Sequence, residues 1–374
     1  MSSLHQTPSA APLLVYGADE SYYTGKLEAY LRAKGIDYRA VPFTEGNLRR
    51  AARVTGVMQI PQVECADGGW LVDTTPIIDY FEDTRPDPAI RPRAPVVAFV
   101  SKLLEDYADE WLWRPAMHFR WSYPDSARLM SGWLAAHVSD YPGPFALKRV
   151  FWYARQWLLF VRRDGVNRTT RPAVEASYCE TLEALESILR RRPFVLGARP
   201  TEADFGFFGS MFRHFFCDPA SGRIMRQRAP AVLEWVARLW NLRPERFADA
   251  PQIATVPTDV QPLLDAVANI YLPYLKAMAA AYARGHKRVS YRVQGVDWRE
   301  PVKPYRVWCL AQLQQCYAGL DGPGRADVSR LLGGGEAAAL LAGPQVSAPI
   351  PVAGPLPLRQ PVATPPADSW WRGR

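Results

Sequence analysis

The chain is poor in the residues that build metal, redox and disulfide sites. It has five cysteines and five histidines in 374 residues. Cys65, Cys179, Cys217, Cys309 and Cys316 are odd in number and contain no C-x-x-C pair, which argues against a disulfide framework and a zinc site. They are expected to be reduced, buried small hydrophobes, and no metal is expected. Lysine is scarce as well: arginine supplies 38 of the 45 basic residues. That bias, with the abundant alanine and proline, looks like genomic base composition. The formal charge of +8 therefore does not call for nucleic acid, and the basic residues read as scattered. Their densest run, Arg190-Arg191-Arg192, falls where a helix should end and complements its dipole. No window approaches the ~18 apolar residues of a membrane span. Residues 1–12 lack the basic start and apolar run of a signal peptide. P-loop, dinucleotide-turn and G-x-S-x-G signatures are missing too. A soluble, cytoplasmic protein with no membrane span is expected.

What is present is apolar bulk, 48% hydrophobic and 12% aromatic residues, enough for two domains and an appendage. Leu13 to Tyr16 reads as a short buried strand ended by Gly17. Leu27, Tyr30 and Leu31 recur at helical spacing up to Lys34-Gly35. Asp37 to Phe43 reads as a second strand and Leu48 to Val54 as a short helix. Gln59–Cys65 and Gly69–Val72 bracket a hairpin turn at Ala66-Asp67-Gly68. Asp73-Thr74-Thr75-Pro76 then opens a helix, with Pro76 in its first turn. The order is β-α-β-(α)-β-β-α over 13–83. It places the hydroxyls of Ser21-Tyr22-Tyr23-Thr24 between a strand and a helix, with an X-Pro strand at Ile60-Pro61 beyond. This is the plan of a thioredoxin-like fold that holds a thiol peptide.

Residues 84–95 carry four prolines and read as a linker. From 96 to 245 the pattern is helical almost throughout. Thr201 and Asp204 form a capping box ahead of the apolar run Phe205 to Phe216. Residues 246–345 read as a mainly helical extension. Its stripe Leu263, Leu264, Val267, Tyr271, Tyr274, Leu275, Met278 must bury against something. Within it, alternation at Val289, Tyr291 and Val293 up to Gln294-Gly295 suggests a β-hairpin. The extension's default role is to brace the helical domain; covering an active site or extending a dimer interface are the alternatives. Residues 346–374, rich in proline and alanine, are expected to be disordered.

Over residues 13–242 the chain resembles the glutathione transferase superfamily, in its serine-type branch. The likeness rests on Ser21 to Leu27, Ile60-Pro61, Asp73-Thr74 and Pro200-Thr201-x-x-Asp204 in order. It implies an α/β thioredoxin-like N-terminal domain, an all-α C-terminal domain, glutathione as co-substrate, a hydrophobic small-molecule electrophile and a homodimer. It implies that Ser21 activates the thiol, that Ile60 beside a cis Pro61 holds the cysteinyl backbone, and that Asp73 and Thr74 take the γ-glutamyl end.

The residues support these roles physically. A hydroxyl at a helix N-terminus lowers a thiol's pKa by hydrogen bonding and by the dipole. An ordinary helix-capping role for Ser21, Asp73 or Thr74 stands beside each of these functions. Proline usually follows the family's serine and here the residue is Tyr22, so Tyr22 and Tyr16 are alternative thiol activators. Tyr107, Trp111 and Arg120 are candidates for the second-substrate site, with core packing the alternative for the aromatics. Arg120 would bind an anionic substrate or pair with Glu105 or Asp109. Lys26-Leu27-Glu28-Ala29-Tyr30-Leu31 is also similar to a helix of metaxin-like and failed-axon-connections-like relatives. A non-catalytic scaffold is therefore the competing function.

Overall fold

The structure, a computed structural model, describes residues 11–42, 44–138, 142–348 and 356–359. Strands β1 (Leu13–Gly17), β2 (Tyr38–Pro42), β3 (Gln62–Glu64) and β4 (Trp70–Val72) form a sheet of order β2-β1-β3-β4. β1 runs parallel to β2 and antiparallel to β3, which pairs antiparallel with β4. The parallel pair requires a crossover helix, supplied by α1 (Tyr22–Ala33); α2 (Glu45–Thr55) and α3 (Thr74–Thr84) complete the unit. The Ile60-Pro61 peptide is cis.

A helical body follows: α4 (Pro95–Glu110), α5 (Trp113–Trp121), α6 (Pro124–His137), α7 (Phe145–Gln156), α8 (Arg171–Leu189), α9 (Glu202–Ser210), α10 (Pro219–Arg228) and α11 (Pro230–Trp240). π-helical turns continue α7 over Trp157–Arg162 and α9 over Met211–Phe216. α9 is buried along its whole length and packs on both α1 and α4. Its start carries the capping box: Asp204 Oδ2 accepts from the Thr201 backbone N–H at 2.9 Å. The other oxygen, Oδ1, takes the Val195 N–H and the Trp235 indole.

The remaining elements are α12 (Gln261–Ala266), α13 (Leu272–Ala283), strands β5 (Arg288–Val293) and β6 (Val296–Pro301), α14 (Pro304–Ala318), α15 (Gly322–Leu331) and α16 (Gly335–Ala342). Gln294-Gly295, both at positive φ, close the β5–β6 hairpin. α14 and α15 lie against α4, so this segment adds a layer outside the helical body. The proline-rich tail, expected to lack order, contributes seven described residues, 346–348 and 356–359. Leu358 bridges Trp70 through two 2.8 Å backbone hydrogen bonds and lengthens the sheet edge at β4. Trp370 and Trp371 lie outside the described residues.

Candidate active site between sheet and helices

A cavity of about 790 Å³ opens where the start of α1, the cis-proline loop and the start of α3 face α4 to α7. Ser21, Tyr22, Ile60, Pro61, Asp73, Thr74 and Arg120 line it; Tyr16, Tyr107 and Trp111 do not. The fold thus gathers Ser21, Ile60-Pro61 and Asp73-Thr74 on one wall.

Ser21 is the N-cap of α1, and its Oγ accepts from the Thr24 N–H at 3.3 Å. Accepting one bond leaves the hydroxyl proton available to donate, beside the unpaired N–H groups of a first helical turn. Tyr22 cannot compete from where it sits. Its hydroxyl donates to the Ala108 carbonyl, and burial holds it well above the ordinary phenol range. Its ring packs so closely on Gly209 that a Cβ there would lie 3.0 Å from it. Tyr16 donates to Glu64 Oε2 at 2.6 Å in a small cluster with Trp70. Burial, then the Glu64 carboxylate, pushes its pKa to about 12.

Asp73 sits at φ 68°, ψ 121°, a region that costs a non-glycine residue roughly 1–3 kcal/mol and recurs at ligand clamps. Its carboxyl pairs with the Tyr305 hydroxyl. Thr74, the next residue, is buried at the helix start.

Tyr107 and Trp111 belong to the core instead. The Tyr107 hydroxyl meets Thr181 and the Trp111 indole donates to Ser177. Arg120 pairs with neither Glu105 nor Asp109. Its Nε donates to Asp218 Oδ2 and its Nη1 to the Glu20 carbonyl, both at 2.8 Å. It therefore braces the turn that presents Ser21.

Helical periodicity on one helix cannot show which face meets a cavity shared by four. The far wall is built from side chains passed over in the sequence: Trp121, Met130, Trp133, Trp152 and Phe160. Residues 303–306 of the extension also line the space. Lys303 is anchored to Asp164 at 2.6 Å and to Glu300 at 2.8 Å, and Arg306 pairs with Glu110. The extension thus contributes to the cavity, beyond the bracing role expected for it. Only tertiary contact brings these residues there, and no local pattern announces it.

Burial pushes several carboxyls up: at the cavity Glu20 to about 7 and Asp109 upward, with the Glu105 charge adding to burial, and away from it Glu202 to about 7. Groups raised in the folded state stabilise it fully below their unfolded pKa and lose that contribution as pH rises through the folded one. Buried His118 and His214 are held low by burial, so they act below their ordinary range. The melting temperature is therefore expected to fall between pH 6.5 and 8.5. A flat or rising thermal-melt profile across that window would contradict the assignment.

Among the described residues, no group of three His, Cys, Asp or Glu is placed to hold a metal ion. No helix among them is long and apolar enough to cross a membrane.

Residues 15–89 match the glutathione S-transferase N-terminal domain family, and residues 168–238 match the C-terminal domain family. The chain belongs to the glutathione S-transferase superfamily. Similar solved structures include a glutathione S-transferase from Rhodospirillum rubrum, 18% identical over 66% of this chain and 96% of that one, TM-score 0.42. A β-etherase from Sphingobium sp. is 18% identical over 61% and 94%, TM-score 0.43. A glutathione S-transferase from Methylobacterium radiotolerans, solved with glutathione sulfonate, is 18% identical over 66% and 97%, TM-score 0.39. The superfamily's two-part architecture, a small α/β unit followed by helices, is the one described above.

Proposed function

We propose that this superfamily member is a glutathione-dependent transferase that activates the glutathione thiol for attack on a hydrophobic electrophile. The observation that carries the reading is the convergence of Ser21, Ile60-Pro61 and Asp73-Thr74 on one wall of a cavity whose other wall is aromatic. In this reading the cysteinyl backbone pairs with Ile60, and its amide geometry is fixed by the cis peptide. Thr74 and the free N–H groups of α3 receive the γ-glutamyl carboxylate, while Asp73 meets the ammonium. The Ser21 hydroxyl donates to sulfur and stabilises the thiolate. Trp121, Trp133, Trp152 and Phe160 take the apolar electrophile. A homodimer in the cytoplasm belongs to the same proposal.

Isothermal titration with glutathione tests it. Charged hydrogen bonds contribute about 1.5–3 kcal/mol, so Asp73→Ala should weaken binding roughly 10- to 100-fold. Ser21→Ala should keep the affinity but lose the ultraviolet absorbance of bound thiolate at neutral pH. Tyr16→Phe should change neither. No heat at millimolar glutathione would overturn the transferase reading.

A second reading, a transferase-like scaffold akin to the metaxin-like relatives, is favoured by one observation. The extension's own Tyr305 already engages Asp73, the residue assigned to the glutathione ammonium. A scaffold need not bind glutathione, so the same titration separates the two.

A further inference from the structure

The outer side of α7 carries apolar residues that nothing among the described residues covers. Leu147 and Val150 are 66% and 65% exposed, and Phe145, Tyr153 and Leu158 lie between 42% and 51%. Together with Leu129 on α6 they are the large hydrophobics that stand out on the described surface. Leu147, Val150, Ala154 and Leu158 recur at i, i+3, i+7 and i+11, so they form one stripe along the helix and its π-helical continuation. Among the helices, α7 packs chiefly on α6. Its inward side chain Trp152 lines the cavity while this stripe faces away.

The charge of the chain is concentrated on the same helical pair. Between residues 124 and 163 there are six basic residues, Arg128, Lys148, Arg149, Arg155, Arg162 and Arg163, against two acids, Asp125 and Asp140. That surplus of four compares with +8 for all 374 residues. Scattered in the sequence, these cations are brought together by the hairpin of α6 and α7.

We propose that the α6–α7 hairpin docks on an anionic lipid bilayer, with the α7 stripe in the interface and the basic side chains on the headgroups. A helix with an apolar stripe and Lys/Arg flanks gains from both buried apolar area and attraction to acidic lipids. Charge decides against a second copy of the chain as the occupant. A two-fold interface places the same patch against itself and would press two basic surfaces together. Arg155 turns inward to the cavity, and an anionic surface complements the exposed Arg128, Arg162 and Arg163 at once. Because the inner face of the same helices walls the cavity, docking sets that cavity beside the lipid, where an apolar small molecule partitions.

The test is co-sedimentation of the full chain with sucrose-loaded vesicles of phosphatidylcholine alone or with phosphatidylserine. Binding is expected to the mixed vesicles only, falling steeply with salt. Leu147→Glu with Val150→Glu should abolish it. Arg162→Glu with Arg163→Glu should weaken it at least about tenfold, since each basic residue near such a surface contributes around 1 kcal/mol. Arg284→Glu with Arg288→Glu, the same charge change on the extension, should leave it intact. Circular dichroism melts identify any variant that misfolds, and the exposed arginine pairs keep the test open if the glutamate pair does. No binding to either vesicle, or binding that Leu147→Glu with Val150→Glu leaves undiminished, overturns the proposal. So does a dimer in sedimentation velocity that those substitutions split, which would assign the stripe to a second copy.

Discussion

Lys26→Met is expected to destabilise the protein by about 3–5 kcal/mol, the usual cost of removing one partner from a buried ionic group. The Lys26 ammonium has no solvent exposure and lies between the Glu105 and Asp109 carboxylates of α4, with Thr75 Oγ1 at 3.3 Å. It ties the thioredoxin-like unit to the helical body. Burial pushes Glu105 up, but the Lys102 and Lys26 charges outweigh it and hold the group low. Methionine keeps the length and apolar stem of lysine and removes only the charge. Two buried carboxylates are then left facing each other, and the folded state must hold protons on them. The loss should accordingly be larger at pH 8 than at pH 5.5, because over that range the unfolded chain has already released those protons while the folded state must keep them. Adding Glu105→Gln and Asp109→Asn to the methionine variant should recover much of the stability. Urea denaturation at both pH values reads this directly, and equal midpoints for Lys26→Met and the parent chain would show that the cluster contributes nothing.

That cluster explains a motif that the sequence alone offers as a family likeness. In Lys26-Leu27-Glu28-Ala29-Tyr30-Leu31 the three polar residues alternate along α1, and all are buried. Lys26 reaches α4, Glu28 pairs with Arg213 at 2.9 Å, and the Tyr30 hydroxyl donates to Glu82 at 2.8 Å. An amphipathic pattern would place such residues in water. Here they join α1 to the elements packed around it, and each finds its partner between 52 and 185 residues away. Sequence periodicity reports burial only for apolar residues, so buried charges with distant partners are invisible to it.

What was legible follows the range of the interactions involved. The strand–helix alternation of 13–83, the cis-proline turn and the Thr201–Asp204 capping box depend on residues close in sequence. Their positions were read within a few residues of Leu13–Gly17, Ile60-Pro61 and Glu202–Ser210. The hairpin at Gln294-Gly295 was readable for the same reason. Tyr107 and Trp111 show the limit. Both lie on a helix with aromatics on several faces, and the choice between cavity and core is made by α8 and α13, whose Ser177, Thr181 and Tyr274 they meet. The partner of Arg120, Asp218, lies 98 residues on at the start of α10, and no sequence pattern pairs the two.

Glu300→Gln is expected to cost a further large share of stability, about 3–5 kcal/mol, and to loosen the extension from the cavity at the same time. Glu300, on β6, is fully buried and receives Arg114 of α5, the Tyr291 hydroxyl and Lys303. Arg114 is itself enclosed, its guanidinium 4.4 Å from the ring centres of both Trp111 and Tyr274. The amide keeps the shape of the acid and removes the counter-charge, leaving a buried guanidinium without its carboxylate. Lys303 retains Asp164, so its ammonium is not stranded, and the damage should centre on the seam between α5 and the hairpin. A cost of that size corresponds to a fall in melting temperature on the order of 10 °C. Because residues 303–306 line the cavity, proteolysis within 288–306 should quicken together with the loss of stability. If the hairpin stayed as protease-resistant as in the parent chain while the melt dropped, Glu300 would be holding only the helical body. The extension would then keep its place through α14 and α15 on α4 and α12 on α8.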